Sequence, residues 1–289
     1  MWVFLPGMDG TGTLYQRQVD ALATVFDIRC LAIPPDDCTD WSGLAEQAVA
    51  LISDAQGNRP LYLCGESFGA CLALQIVTRA SQLADYLVLI NSATAFHRQN
   101  WGSWASSITR WLPTSAYSLS TYGLWPLLAA LHRIDAPERR SLLTAMQSVT
   151  HRSAAWRLSL LADEALAQLP LETIQQPVLL LAAAADRLLP SVPEAERLAR
   201  RLPHAQLRVL PHSGHACLLE RDINLFNILQ KEQWLPALVG SSQRGCTVGA
   251  ALHAVSPTPA ALVNKWGKGS APDGHGRMTT QLRPACLAW

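Results

Sequence analysis

The chain has 289 residues, 49% of them hydrophobic and only 16% charged, so it can bury a large core as one domain or as a domain with an insertion. The formal net charge is +1, without a basic stripe or an acidic tail, which argues against nucleic-acid binding and against an electrostatic membrane anchor. The seven cysteines lack zinc-ligand spacing, and no apolar run is long enough to span a bilayer. We therefore expect a cytoplasmic, metal-free protein of a reducing compartment. Peripheral contact with an internal membrane and the oligomeric state stay open.

Short apolar segments alternate with helical stretches in most of the chain. The predicted strands are, in chain order, residues 2–5, 26–33, 61–64, 86–91, 177–182 and 206–210. The predicted helices cover residues 14–25, residues 39–54, and a segment that follows a turn at Ser67 and continues to Ala80. Strands that are apolar throughout and separated by helices indicate a parallel sheet covered on both faces. The fold class is therefore α/β.

A helical insertion is predicted between residues 95 and 168, where the strands stop. It holds five of the ten tryptophans, and Trp101, Trp104 and Trp111 fall on one helical face. Such a face either packs on the domain beneath it or caps a pocket. In the second interpretation, those three residues and Trp125 line an apolar substrate channel.

The end of the chain, residues 239–289, has recurrent glycine and proline without a sustained hydrophobic period. We predict a disordered or poorly packed extension there and assign it no function. The core domain then consists of residues 1–94 and 169–238.

The pentapeptide G-E-S-F-G places Ser67 between Gly65 and Gly69, after a buried strand and before a helix rich in small residues. A G-x-S-x-G sequence in this context predicts a strained strand-to-helix turn that exposes the serine hydroxyl as a nucleophile. The glycines remove side chains that would clash with the returning helix. The helix N-terminus lies beneath the hydroxyl and favours developing negative charge. An ordinary turn is the alternative.

A nucleophilic serine needs a base, and the base needs an orienting acid. The expected chain order is serine, acid, histidine, with the last two after late strands. Asp186 follows one such strand and is the predicted acid. Asp163 and Glu164 are competitors within the helical insertion. His215 follows the last strand and precedes a predicted helix start, so it is the predicted base, with His212 as its rival.

An oxyanion intermediate needs two preorganised amide donors. We predict the backbone N–H of Phe68, directly after the nucleophile, and that of Met8, in the glycine-rich turn after the first strand. Asp9 in the same turn either shapes the turn or touches substrate. Phosphate binding is a weaker interpretation of this turn, because its glycines match neither the P-loop nor the dinucleotide spacing.

The segments LPGMDGTG, GESFGACLAL, AAAADRLLP and SGHACLLE together resemble the α/β-hydrolase superfamily over residues 1–238. The first two segments resemble the hydrolase portion of the phytyl ester synthases of plastids and their cyanobacterial relatives. The resemblance implies an α/β-hydrolase fold with a cap, Ser67, Asp186 and His215 as a triad, no cofactor, and acyl-ester chemistry on lipid or phytol esters. The chain departs from that family in beginning at the strand that is usually third, and in lacking the acyltransferase-like second domain.

We therefore predict a serine hydrolase that cleaves a carboxylic ester through an acyl-enzyme, in lipid metabolism. The Trp- and Leu-rich cap indicates a small-molecule or lipid ester with an apolar acyl or alcohol group. One alternative is transfer of the acyl group to a lipid alcohol such as phytol. Another is a non-catalytic protein that uses the same fold as a ligand pocket.

Overall fold

The computed structural model describes residues 1–98, 125, 127–236 and 281–284. The chain divides into two compact units, one of Met1–Leu235 with Thr279–Trp289 and one of Pro236–Met278. The second unit, apart from Pro236, lies outside the described residues, so the fold below is that of the first unit.

Within the described residues, one sheet of seven strands runs through this unit. Its strands are β1 (Trp2–Leu5), β2 (Ile28–Ala32), β3 (Tyr62–Glu66), β4 (Tyr86–Ile90), β5 (Val178–Ala183), β6 (Ala205–Leu210) and β7 (Gln281–Pro284). The spatial order is β6-β5-β4-β3-β1-β2-β7. The first six strands are mutually parallel, with Trp2 paired to both Ile28 and Tyr62, and β7 is antiparallel to β2. The six parallel strands are those that the sequence predicts.

The helices cover both faces of the sheet. In chain order they are α1 (Gln16–Leu22), α2 (Trp41–Gln56), α3 (Phe68–Arg79), α4 (Ala136–Ser148), α5 (His151–Leu161), α6 (Ser191–Arg201) and α7 (Leu225–Lys231). Because successive strand residues point to opposite faces, Val3 and Leu5 pack on α2 and α3, whereas Trp2 and Phe4 pack on α1 and α7. Burial on both faces explains why β1, β4 and β5 are apolar throughout, whereas the edge strand β6 alternates exposed Gln206 and Arg208 with less exposed residues. The parallel strands with helices on both faces confirm the α/β class.

The longest described part of the predicted insertion, residues 127–168, is mainly helical. Besides α4 and α5 it contains short 3-10 turns at Leu131–Arg133 and Glu164–Leu166. Ile134 departs from the helical prediction, because it forms an isolated antiparallel bridge with Glu220. The boundaries of the insertion stay a prediction.

Two local predictions differ from the structure. The helix expected directly after His215 is only a 3-10 turn, Cys217–Leu219, and α7 begins at Leu225. In the predicted extension, β7 pairs with β2, although its sequence QLRP has no apolar run. An edge strand can be held by backbone hydrogen bonds alone. Such pairing does not require an apolar pattern, so the sequence carries no signal for it. The other residues of 239–289 lie outside the described residues.

Candidate active site

Ser67 occupies a sharp turn between β3 and α3. Its backbone has φ 54° and ψ −111°, a conformation that is costly for a residue with a side chain and that often marks functional sites. A Cβ on Gly65 would lie 2.3 Å from the Gly69 carbonyl oxygen, and a Cβ on Gly69 would lie 2.0 Å from that of Leu5. Only glycine fits at either position, so both glycines allow the close approach that aims Ser67.

Three side chains from distant segments form one hydrogen-bonded chain. His215 Nε2 lies 2.9 Å from Ser67 Oγ, and His215 Nδ1 lies 2.7 Å from Asp186 Oδ2. Ser67 follows β3, Asp186 follows β5 and His215 follows β6. The carboxyl ends of parallel strands meet at one edge of the sheet, and the structure therefore brings the three predicted residues together there.

The Asp186 carboxylate is fixed by more than the histidine. Its Oδ1 accepts hydrogen bonds from the N–H groups of Leu188 and Leu189 at 2.8 and 3.0 Å, and its Oδ2 also accepts one from the Ser191 hydroxyl. Burial works to raise the pKa of Asp186, but the charge and hydrogen bonds of His215, together with these donors, hold it below its ordinary value. The acid therefore stays ionised and immobile beside the imidazole.

The protonation of His215 depends on the same contact. Burial works to lower the pKa of His215, but the Asp186 carboxylate, and to a smaller degree the charge of Glu66, raise it above its ordinary value. A more basic imidazole is a better proton acceptor from a hydroxyl, provided that it is neutral when the reaction starts. This arrangement suits a general base for Ser67.

The rival candidates lie elsewhere. His212 is exposed and takes no part in the hydrogen-bonded chain, and Asp163 and Glu164 are exposed in and beside the turn after α5. Asp163 instead accepts a hydrogen bond from the Ala165 N–H at 2.9 Å, which is an ordinary capping role.

The two predicted oxyanion donors lie beside the nucleophile. A Cβ on Gly7, next to Met8, would lie 3.8 Å from Ser67 Cβ, which puts the turn after β1 against the serine. The Phe68 ring is buried and stacks on Trp41 with the ring centroids 4.6 Å apart. Among the residues that the structure describes, neither the Met8 N–H nor the Phe68 N–H donates to a protein acceptor. Their role as oxyanion donors stays a prediction.

Asp9 shapes the turn itself. Its Oδ2 accepts hydrogen bonds from the Thr11 N–H at 2.9 Å and from the Thr11 hydroxyl. The structure thus supports the turn role among the two interpretations of Asp9.

Three of the four predicted cap residues, Trp101, Trp104 and Trp111, lie outside the described residues. Trp125 is half-buried and packs against a small cluster that includes Ala216 and Leu219, directly after His215. Its indole N–H has no acceptor in the described part of the chain. The lining of a substrate channel by these tryptophans stays a prediction.

Sequence reasoning missed several residues that support the site. Asn91, with φ 44°, directly follows β4, and its side-chain amide donates a hydrogen bond to the His215 carbonyl oxygen. A polar residue at the end of an apolar strand is a sequence signal that could have identified it. Glu66 lies inside the motif, yet nothing in the local sequence indicates that its side chain is buried. Burial raises the pKa of Glu66 to about 7; the charge of His215 opposes this rise, and that of Asp9 adds to it. Arg157 has no local signal at all.

No group of three or more His, Cys, Asp or Glu side chains in the described part of the chain is arranged to hold a metal ion. The expectation of no cofactor stays a prediction. Within the same residues, no helix combines the length and apolarity needed to cross a membrane. The cytoplasmic location also stays a prediction.

Comparisons with known proteins identify the family of the chain. The family described as "Serine aminopeptidase, S33" matches residues 37–222. The chain is 33% identical over 260 residues to phytyl ester synthase 1, chloroplastic, of Arabidopsis thaliana, covering 79% of this chain and 36% of the relative. It is 28% identical to the pimeloyl-[acyl-carrier protein] methyl ester esterase of Nitrosomonas europaea, covering 78% and 94% of the two chains. The chain thus spans about a third of the length of the phytyl ester synthases that it matches.

Among solved structures, the esterase EaEST from Exiguobacterium antarcticum aligns with a TM-score of 0.68 at 17% identity, covering 80% of this chain and 90% of that one. This similarity supports the fold. The fold and the family match together place the chain in the α/β-hydrolase superfamily. Within that superfamily, the chain belongs to the serine aminopeptidase S33 family of hydrolases.

Proposed function

We propose that this protein is a serine esterase that uses Ser67 as nucleophile, His215 as general base and acid, and Asp186 as the orienting acid. The observation that carries the proposal is the continuous hydrogen-bonded chain from Ser67 Oγ through both nitrogens of His215 to Asp186. In that arrangement the imidazole removes the hydroxyl proton as Ser67 attacks the acyl carbon.

The reaction then proceeds in two halves. The carbonyl π electrons move onto oxygen as the Ser67 C–O bond forms, and the N–H groups of Met8 and Phe68 stabilise the oxyanion. When the tetrahedral intermediate collapses, the bond to the leaving alcohol breaks and His215 protonates that alcohol. Water, deprotonated by His215, then attacks the acyl-enzyme to form a second tetrahedral intermediate. As that intermediate collapses, the bond to Ser67 Oγ breaks, His215 returns the proton to Oγ, and the carboxylic acid is released. Asp186 keeps the imidazole in the required tautomer throughout.

The substrate in this proposal is an ester with an apolar acyl or alcohol group. The relatives support this class by name, since one is a phytyl ester synthase and another is a pimeloyl-[acyl-carrier protein] methyl ester esterase. Hydrolysis is the proposed reaction. Transfer of the acyl group to a lipid alcohol is the second candidate, favoured by the 33% identity to phytyl ester synthase 1, and it shares every step up to the acyl-enzyme.

One experiment tests these points together. Purified protein and Ser67→Ala are treated with a fluorophosphonate probe and with p-nitrophenyl esters of two to sixteen carbons, with and without phytol. We expect labelling and turnover of the unmodified protein only, with a preference for medium or long acyl chains. No labelling of folded protein, or equal labelling of Ser67→Ala, would instead support a non-catalytic binder. A preference for acetyl esters would contradict the apolar site. In the reactions with phytol, a larger amount of phytyl ester than of free acid would favour acyl transfer over hydrolysis.

A further inference from the structure

The Arg157 side chain lies beneath the turn that follows β1. It belongs to α5 and is 1% exposed, which is rare for an arginine. Its Nη1 donates a hydrogen bond to the Met8 carbonyl oxygen at 2.6 Å, and its Nη2 donates one to the Pro34 carbonyl oxygen at 2.9 Å. One guanidinium therefore joins the chain segments that follow the neighbouring strands β1 and β2.

The Met8 residue is thereby held at one of its two polar groups. Its N–H is the proposed oxyanion donor, and its carbonyl oxygen is the atom that Arg157 binds. Within the described residues, the other contacts of the turn involve its neighbours: the Gly10 N–H donates to Gly7 at 3.1 Å, and the Ile33 N–H donates to Gly10 at 2.8 Å. The Met8 N–H shares a peptide plane with the Gly7 carbonyl, which accepts from Gly10, whereas the Met8 carbonyl belongs to the next peptide plane, which Arg157 holds. With the planes on both sides of Met8 anchored, its φ and ψ are restricted, and the bond from Arg157 thereby limits the direction in which the N–H points.

The turn is shaped to admit this guanidinium. Gly10 has φ +71°, and a Cβ at that position would lie 2.8 Å from Arg157 Nη1. A planar guanidinium can bond two carbonyl oxygens at fixed directions, whereas a lysine ammonium is a single point of charge on a flexible stem. The geometry therefore requires arginine at position 157 and disfavours a side chain at position 10.

We propose that Arg157 is a positioning residue for the oxyanion site, holding the Met8 N–H in the direction that the tetrahedral intermediate needs. This inference rests on the proposed esterase function. Since α5 lies in the predicted insertion, this proposal gives that segment a part in the chemical step. Arg157 acts through Met8 and does not itself contact the substrate.

The test compares Arg157→Lys and Arg157→Met with Arg152→Met, a matched change at an exposed arginine of the same helix. For each folded variant, kcat and KM are measured with p-nitrophenyl butyrate, together with the inhibition constant of an alkyl trifluoromethyl ketone, which forms a serine-bound oxyanion. We expect kcat to fall by about 10- to 100-fold in both Arg157 variants, less than or equal to the loss of a whole oxyanion donor. The inhibition constant should rise by a similar factor, while KM changes by less than about threefold, because ground-state binding does not use the oxyanion donors.

A purely structural arginine predicts a different result. The melting temperature would fall, but the folded variants would keep the kcat and the ketone affinity of the unmodified protein, and that result would overturn the inference. If Arg157→Met does not fold, Arg157→Lys carries the same comparison. An unmodified protein without esterase activity would refute the proposed function instead, so the two failures are distinguishable.

Discussion

Asn91 Nδ2 donates a hydrogen bond to the His215 carbonyl oxygen over 2.7 Å, and Asn91 Oδ1 accepts one from the Ala183 N–H over 2.8 Å. One buried amide at the end of β4 thus joins the histidine loop to the end of β5. Its φ of 44° lies in the left-handed region, which asparagine tolerates better than most residues. The position of the imidazole therefore depends on a side chain that does not touch the reacting groups.

We predict that Asn91→Ala lowers the free energy of unfolding by about 2–4 kcal/mol, because two buried partners lose their hydrogen bonds and alanine is strained at this φ. A displaced imidazole should also lower kcat by roughly 10- to 100-fold. Asn91→Gly is the control, since it relieves the backbone strain but lacks the same bonds. Urea unfolding and ester hydrolysis check both effects. An Asn91→Ala protein with unchanged stability and kcat would contradict this role.

Asp186→Asn should lower kcat by about 10⁴-fold while the protein stays folded. The asparagine oxygen can still accept from the N–H groups of Leu188 and Leu189, so its amide nitrogen faces His215 Nδ1. Because the amide nitrogen is a donor, His215 Nδ1 has to accept, and the imidazole proton then lies on Nε2. A protonated Nε2 cannot accept the Ser67 proton. Steady-state hydrolysis measures the loss. Asp163→Asn, at the exposed rival carboxylate, should keep kcat within about twofold of the unmodified protein; equal losses in both variants would argue against Asp186 as the acid.

Glu66→Gln should make stability less dependent on pH. Burial raises the folded-state pKa of Glu66 from 4.5 to about 7, so the folded state binds more protons than the unfolded state in that interval. Stability from the neutral carboxyl is therefore present below pH 4.5 and is lost as the pH rises towards 7. Glutamine stays neutral and avoids this loss.

Urea unfolding at pH 5 and pH 8 measures the effect of Glu66→Gln. The stability of the variant relative to the unmodified protein should rise between these pH values by up to the order of 3 kcal/mol. Glu46→Gln, an exposed change on α2, provides the control and should show no comparable rise. A stability difference that is the same at both pH values for Glu66→Gln would refute the prediction.

Glu220 anchors the histidine loop from its other side. Its side chain is 0% exposed; Oε2 accepts from Arg133 Nε at 2.7 Å, and Oε1 accepts from the Gly214 N–H at 2.8 Å. We expect Glu220→Ala to lower the free energy of unfolding by about 3–5 kcal/mol, because Arg133 and the Gly214 N–H lose a buried partner.

Asp222 offers a matched control for Glu220. It pairs with the same Arg133 at 3.3 Å, but its side chain is 68% exposed. Asp222→Asn should therefore change the free energy of unfolding by less than about 1 kcal/mol. Chemical denaturation measures the free energy of unfolding of both variants. A similar decrease for Glu220→Ala and Asp222→Asn would mean that burial does not govern the strength of these ion pairs.

Local patterns were sufficient to locate Ser67, Asp186 and His215. Each follows a short predicted strand, and the glycines around Ser67 mark a turn that few other residues could form. The choice of His215 over His212 also followed from a local feature, the apolar segment after it. In contrast, the bond from Asn91 to His215 joins residues 124 positions apart, and the bond from Arg157 to Met8 joins residues 149 apart. The hydrophobic pattern of consecutive residues does not indicate which distant residues will form such bonds.

By itself, the sequence determined the parallel α/β sheet and the identity of the three predicted catalytic side chains, because burial period and turn geometry are properties of consecutive residues. Only the tertiary structure decided what holds those side chains in place. Arg157 and Asn91 act through hydrogen bonds to backbone atoms of remote loops, and Glu220 joins the nearby Gly214 N–H to the remote Arg133 side chain. Such bonds depend on how separate segments are packed against one another. The strand pairing of Gln281–Pro284 with β2 has the same origin, since edge hydrogen bonds impose no requirement on the side chains.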